Sequence, residues 1–250
     1  MKPAPFDYHA PASLAEAVAL LGARPGTRVL AGGQSLLRSM SSRTLCPPAL
    51  VDLRALPGLD RIERAPGRIV VGARVTQRAA EDADCPLLRR VLPFVGHPQT
   101  RGRGTVVGSV VHADPGAELP AALLAVDGVV HAYGPGGTRR IAAADFFRGP
   151  FTTALAPDEI ATAVELPVPA GAGCAEVAGC GAVAATDRAG VRLALFGVGD
   201  RPRRAYHAER AWRSGGDFPA AVREDLAGVP DGYPREVAPA LLRRALADVR

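Results

Sequence analysis

Lysine is almost absent from this chain of 250 residues: Lys2 stands alone among 30 basic residues, and the rest are arginine. The arginines are scattered singly or in pairs, as at Arg139-Arg140 and Arg243-Arg244. A net charge of +5 spread this way does not make the basic face of a nucleic-acid binder, so no nucleic-acid partner is expected. Long apolar runs are missing too. None approaches the ~18 residues of a membrane-spanning helix, so no membrane partner is expected. Cysteine is sparse, and Cys46, Cys85, Cys174 and Cys180 form no C-x-x-C pair. With no histidine at finger spacing, neither zinc nor iron–sulfur ligation nor any other metal site is expected. The segment from Met1 to Ala12 lacks the apolar core of a secretory signal. The expectation is a cytoplasmic protein with free thiols. Aromatic residues make up only 5%, so the core must be aliphatic. At 48% hydrophobic and 22% charged, the chain is too apolar to be disordered.

Local patterns predict alternating helices and strands. Ser13 and Glu16 form a capping-box pair, and Leu14, Val18 and Leu21 follow at helical spacing. Thr27–Leu30 and Ala49–Leu53 read as strands, and Ser35–Ser42 as a helical turn. Arg61–Arg64 and Arg68–Ala73 read as strands around a Pro-Gly turn. Thr76–Ala83, Pro86–Phe94 and Pro115–Val126 read as helices. The stretch from Gly96 to Ser109 is glycine-rich and lacks a helical period, which predicts a loop. Gly128–Tyr133 and Thr138–Ile141 suit a hairpin, and Glu159–Leu166 a strand. Pro167 to Gly173 reads as a linker. Beyond it, Ala175–Thr186 and Val191–Val198 suggest a hairpin, and Phe218–Leu226 and Pro234–Val249 suggest helices.

Two segments have the character of anion-binding loops. Ala31-Gly32-Gly33-Gln34-Ser35 follows a strand directly. Glycines let a ligand approach bare backbone, and successive amides form a nest for phosphate. Thr105-Val106-Val107-Gly108-Ser109 is the second, leading into His112-Ala113-Asp114-Pro115. Together they suggest a diphosphate held between subdomains. No G-x-G-x-x-G opens a helix, so this is not the Rossmann fingerprint.

These segments belong to a longer series in fixed order: Leu30–Leu36, Val51–Leu53, Gly96–Gln99, Arg103–Thr105, Gly108-Ser109, His112–Pro115, Glu118–Pro120 and Asp145–Phe147. The series resembles the FAD-binding medium subunit of molybdenum hydroxylases, of the carbon monoxide dehydrogenase and xanthine dehydrogenase type. The resemblance implies an α+β protein. A two-part FAD-binding domain of the vanillyl-alcohol-oxidase type would cover 1–170, with subdomains of about 1–55 and 56–170. A small α+β domain would occupy 174–250. The resemblance also implies FAD as cofactor, held by Ala31, Gly32, Gly33, Gln34, Ser35, Leu36, Thr105, Val106, Val107, Gly108, Ser109, Asp114, Glu118 and Leu155. It implies iron–sulfur and molybdenum subunits as partners, with a small-molecule substrate or electron acceptor; self-association into a homo-oligomer is left open.

The chain departs from the family pattern at Gly102, where the second loop usually has Asn, at its C-terminal end, which lacks the S-x-x-Y-R phrase, and in two places that bear on the flavin. Val107 stands where the second loop normally has a glycine, which places two methyl groups at a phosphate-binding turn. The family's segment of the type R-R-x-G-D-F-A, near the flavin ring, is missing between Ala178 and Gly179. Three readings stay open: a flavin oxidoreductase or its subunit, a homologue that has given up flavin for a non-redox step such as cyclisation, isomerisation or dehydration, and a scaffold. In the non-redox reading, His97, His112 and Asp114 are the candidate catalytic residues. Asp114 also suits the N-cap of the following helix.

Overall fold

The structure, a computed structural model, describes residues 2–249. It begins with β1 (Asp7–His9), α1 (Leu14–Ala23), β2 (Arg28–Leu30), α2 (Leu36–Ser41) and β3 (Ala49–Asp52). These build a small parallel sheet in the order β1-β3-β2. Parallel neighbours need crossover connections, which α1 and α2 supply. The Ser13 hydroxyl accepts the Glu16 amide at 3.2 Å, as expected. The Glu16 carboxylate reaches back one residue further than expected, to the amide of Ala12 at 2.9 Å.

Next come β4 (Ile62–Ala65), β5 (Arg68–Gly72), α3 (Gln77–Glu81), α4 (Pro86–Val91), α5 (Pro98–Arg101), α6 (Val106–His112) and α7 (Glu118–Ala125). The expected loop from Gly96 to Ser109 therefore contains two short helices. Four glycines among few apolar residues hid the helical period there. Thr105 starts α6, its hydroxyl accepting the Gly108 amide at 3.0 Å. The helix expected from Pro115 starts only at Glu118. Asp114 is not its N-cap; its Oδ1 instead accepts the Gly116 amide at 2.9 Å, closing an Asx turn.

The chain continues through β6 (Val129–Gly134), β7 (Gly137–Ala142), α8 (Ala143–Phe146), β8 (Phe147–Gly149), β9 (Thr152–Thr153) and β10 (Ile160–Pro167). An antiparallel sheet forms in the order β4-β5-β10-β6-β7. One hydrophobic cluster joins this sheet to α1, α4, α6 and α7. Every residue of α7 is buried, so this helix is the axis of the molecule.

The last part holds β11 (Gly171–Val177), β12 (Cys180–Asp187), β13 (Gly190–Phe196), β14 (Arg203–Arg204), α9 (Tyr206–Ser214), α10 (Phe218–Asp225) and α11 (Tyr233–Ala247). The four strands form a meander, not the single hairpin expected. β11 begins inside the expected linker, which shrinks to 168–170. Gly173 misled the reading. It lies in a strand where a Cβ would meet the Ala245 carbonyl and stand 3.0 Å from the Val249 amide, so glycine marks the close approach of α11. Helix α9 was not expected from the sequence; its one local signal is Gly215, which ends it at φ +69°.

Candidate cofactor site

The first glycine loop joins β2 to α2 and lies against the turn before α6. Gly32 has no room for a side chain: a Cβ would meet the Arg103 carbonyl and stand 2.8 Å from Gly104 Cα and 2.9 Å from the Thr105 amide. Gly33 adopts φ +72°, a conformation that favours glycine. Among the described residues, the amides of Gly32, Gly33, Gln34 and Ser35 have no acceptor within the protein. They are partly accessible to solvent. Unpaired amides around a glycine turn are what a diphosphate requires.

The second half of the cradle is held from below. The Gln77 amide donates to the Gly104 carbonyl at 2.7 Å, and the Val106 amide to the Val75 carbonyl at 3.2 Å. Sequence reasoning missed Gln77, which is buried and whose Oε1 finds no partner among the described residues. Val107 is 2% exposed and belongs to the main core. Its methyl groups are packed in that core. Gly108 and Ser109 sit half-buried in the first turns of α6, and Leu36 opens α2 across the gap.

From α6 the chain passes through strained backbone. Ala113 has φ +50° and Phe151 φ +52°, and the Phe151 amide donates to the Ala113 carbonyl at 2.9 Å. Left-handed non-glycine residues cost about 1–3 kcal/mol each and gather at functional sites. Phe151, 59% exposed, lies against the His112 ring at 5.1 Å between centroids. Burial lowers the pKa of His112, opposed by the Asp114 carboxylate. Leu155 is half-buried just beyond β9.

Glu118 is 9% exposed and has no ion-pair partner among the described residues. Burial pushes its pKa up to about 7, and the Glu176 and Asp114 carboxylates push in the same direction. The tip of the β11–β12 hairpin closes this side. Ala178 and Gly179, at φ +49° and +76°, form a two-residue turn of the mirror-image kind. The tip is pinned: the Gly197 amide donates to the Pro115 carbonyl at 2.7 Å, and a Cβ on Gly197 would strike Gly179. The structure thus brings together Asp114, Glu118, His112 and, unanticipated from sequence, Glu176 and Phe151. It does not bring His97 to them. That residue is exposed at the start of α5, and no hydrogen bond joins its ring to the others among the described residues.

The FAD-binding domain family of the molybdopterin dehydrogenases matches residues 4–169. The chain belongs to this family. It is 39% identical over 179 residues to the carbon monoxide dehydrogenase medium chain of Afipia carboxidovorans, covering 68% of this chain and 61% of that protein. It is 32% identical to the caffeine dehydrogenase subunit beta of a Pseudomonas species, covering 89% of this chain and 84% of that one. The alignments to the first curated relatives thus span about three-fifths of those proteins, 61% in each case. Solved structures agree along the whole fold. A carbon monoxide dehydrogenase chain from Hydrogenophaga pseudoflava superposes with a TM-score of 0.88 at 30% identity, covering 99% of this chain and 98% of that one. A quinoline 2-oxidoreductase chain from Pseudomonas putida gives 0.86 at 32% identity, covering 99% and 98%. FAD is the cofactor that this family binds, and the free amides of Gly32–Ser35 fit its diphosphate. The α+β architecture expected from the sequence is that of the medium subunit. Among the described residues, no helix is long and apolar enough to cross a membrane.

Proposed function

We propose that this chain is the flavin-carrying subunit of a molybdenum-hydroxylase-type oxidoreductase, with FAD across the cradle between α2 and α6. The observation that carries the reading is the set of unpaired amides at Gly32–Ser35 facing the backbone of Arg103–Thr105, in a chain of the FAD-binding family. When bound, FAD supplies the electron-transfer chemistry. The chain's residues would hold it. Ala31–Ser35 and Leu36 would line one side of the diphosphate, and Thr105–Ser109 the other. Glu118, titrating near neutrality, would exchange one hydrogen bond with a cofactor hydroxyl. Leu155 would shield the ring side from water. Iron–sulfur and molybdenum subunits would be its partners, and a small molecule its electron acceptor. The boundary at 168–170 would separate the FAD-binding part from the C-terminal part. The test is the absorption spectrum from about 300 to 550 nm after adding FAD and desalting. Flavin bands that survive desalting support the reading; a folded protein that stays colourless refutes it.

One observation favours a second reading. The Ala178-Gly179 turn is tight where the resemblance implies a longer ring-side segment, and His112, Asp114, Glu118 and Glu176 are electrostatic neighbours on this side of the cradle. Such a cluster suits proton transfer in a non-redox step. Saturable binding of a small organic ligand to protein that refuses FAD would select this reading.

A further inference from the structure

A separate basin of about 410 Å³ lies where β8 meets the segment from Arg201 to Tyr206. Leu124, Phe147 and Pro202 supply apolar lining. Its walls carry Arg148, Arg201, Arg203 and Arg204. These four are not equally neutralised. Arg204 is paired with Glu209 and, at 2.6 Å, with Asp127. Arg203 meets Asp200 only loosely, at 3.6 Å. Arg148 and Arg201 have no carboxylate partner among the described residues. Arg201 donates only to the carbonyls of Phe147 and Arg148, at 3.5 and 3.4 Å, which holds its charge beside the Arg148 residue. The one acid in the lining, Asp225, is already committed. Its oxygens accept from the His207 amide at 2.9 Å, the His207 ring at 2.8 Å and the Ala208 amide at 2.9 Å.

Both unpartnered arginines belong to the lining of one basin. The basin therefore carries a local excess of positive charge beside apolar side chains. Guanidinium forks match carboxylate and phosphate oxygens. A pocket of this size at a seam between packed parts is typical of small-ligand sites. We propose that this basin binds a small organic oxyanion, a carboxylate or phosphate monoester on an apolar or aromatic body, at a site distinct from the diphosphate cradle. Arg148 and Arg201 grip the oxyanion, and Phe147 with Leu124 takes the body. The cradle, by contrast, works through backbone amides.

The test is titration calorimetry on the full chain at constant ionic strength, with FAD present in excess so that the cradle is filled. Phenyl phosphate, benzoate and inorganic phosphate are the probes. One saturable site is expected, with phenyl phosphate or benzoate binding more tightly than inorganic phosphate; whichever wins identifies the oxyanion class. The double substitution Arg148→Ala, Arg201→Ala should weaken the better probe at least tenfold and leave the melting temperature unchanged. If the pair does not fold, Arg148→Ala alone, at an exposed side chain, should weaken it severalfold. No saturable binding, or an unchanged dissociation constant in the variants, overturns the proposal. So does binding that disappears only when FAD is added, which would place the probe in the cradle. Loss of a partner subunit from the double variant, with neither organic probe binding, would overturn it in favour of a protein interface. Because the basin shares no residue with the cradle, failure to bind FAD would leave the titration interpretable.

Discussion

At the residue scale, the cradle depends on groups that cannot be exchanged for charge or bulk. Gly32 is a poor place to test it, because any side chain there collides with the Arg103–Thr105 backbone and disturbs the fold. Ser35 is exposed, has an ordinary helical φ of −91° and makes no side-chain cap bond. Ser35→Asp should therefore fold normally. A carboxylate beside a diphosphate should cost about 1–4 kcal/mol, read as a roughly fivefold or greater loss of FAD affinity at unchanged melting temperature. Unchanged affinity would move the diphosphate elsewhere. Glu118 gives a pH-dependent test. Its folded pKa of about 7 lies above the ordinary 4.5, so the fold favours the neutral form. The associated stability is complete below the unfolded pKa and is lost as pH rises through about 7. Glu118→Gln should change little at pH 5 and raise stability at pH 8 by up to about 3 kcal/mol. Thermal melts at both pH values check this, and an equal effect at the two would refute it.

At the element scale, the β11–β12 turn is strained by Ala178 in the left-handed region. Ala178→Gly should relieve about 1 kcal/mol and raise the melting temperature by about 2–4 °C; a fall would mean that the alanine methyl makes a compensating contact. The same elements mark how far the sequence could be read. The strands from Arg68, Val129 and Ile160 were legible because their apolar residues run together, alternating in the strand from Val129, and end at Gly or Pro. Helices α5 and α6 were not, because Gly102, Gly104 and Gly108 interrupt the period and tertiary contacts hold the turns. Gly173 looked like linker, although the close approach of a helix backbone was the reason for it. The two halves of the cradle were legible as motifs. Glu176, Gln77 and Phe151 were not, since each reaches the site through pairing or packing distant in sequence. Val107 is the reverse case: a motif position was legible, but the burial of its side chain depended on α6 being a helix.

At the scale of the whole molecule, α7 and the β11–β14 meander are tied by Arg204. Its guanidinium is paired with buried Glu209, donates to Asp127 at 2.6 Å and to the Leu124 carbonyl at 3.1 Å. Glu209 also accepts the Leu193 amide at 2.8 Å. Arg204→Ala would strand that carboxylate, and chemical denaturation should show a loss of about 3–5 kcal/mol. A loss below about 1 kcal/mol would mean that water replaces the arginine. The small parallel sheet is fastened less evenly. β3 and α1 contribute to the main core, but α2 rests on a satellite cluster in which only Leu30, Met40 and Leu50 are buried. One wall of the cradle is therefore far easier to unfasten than the other. A cofactor gripping both walls acts as a latch on the weaker one: its residence time follows the opening rate of α2, and amide exchange in α2 slows when the cofactor is bound.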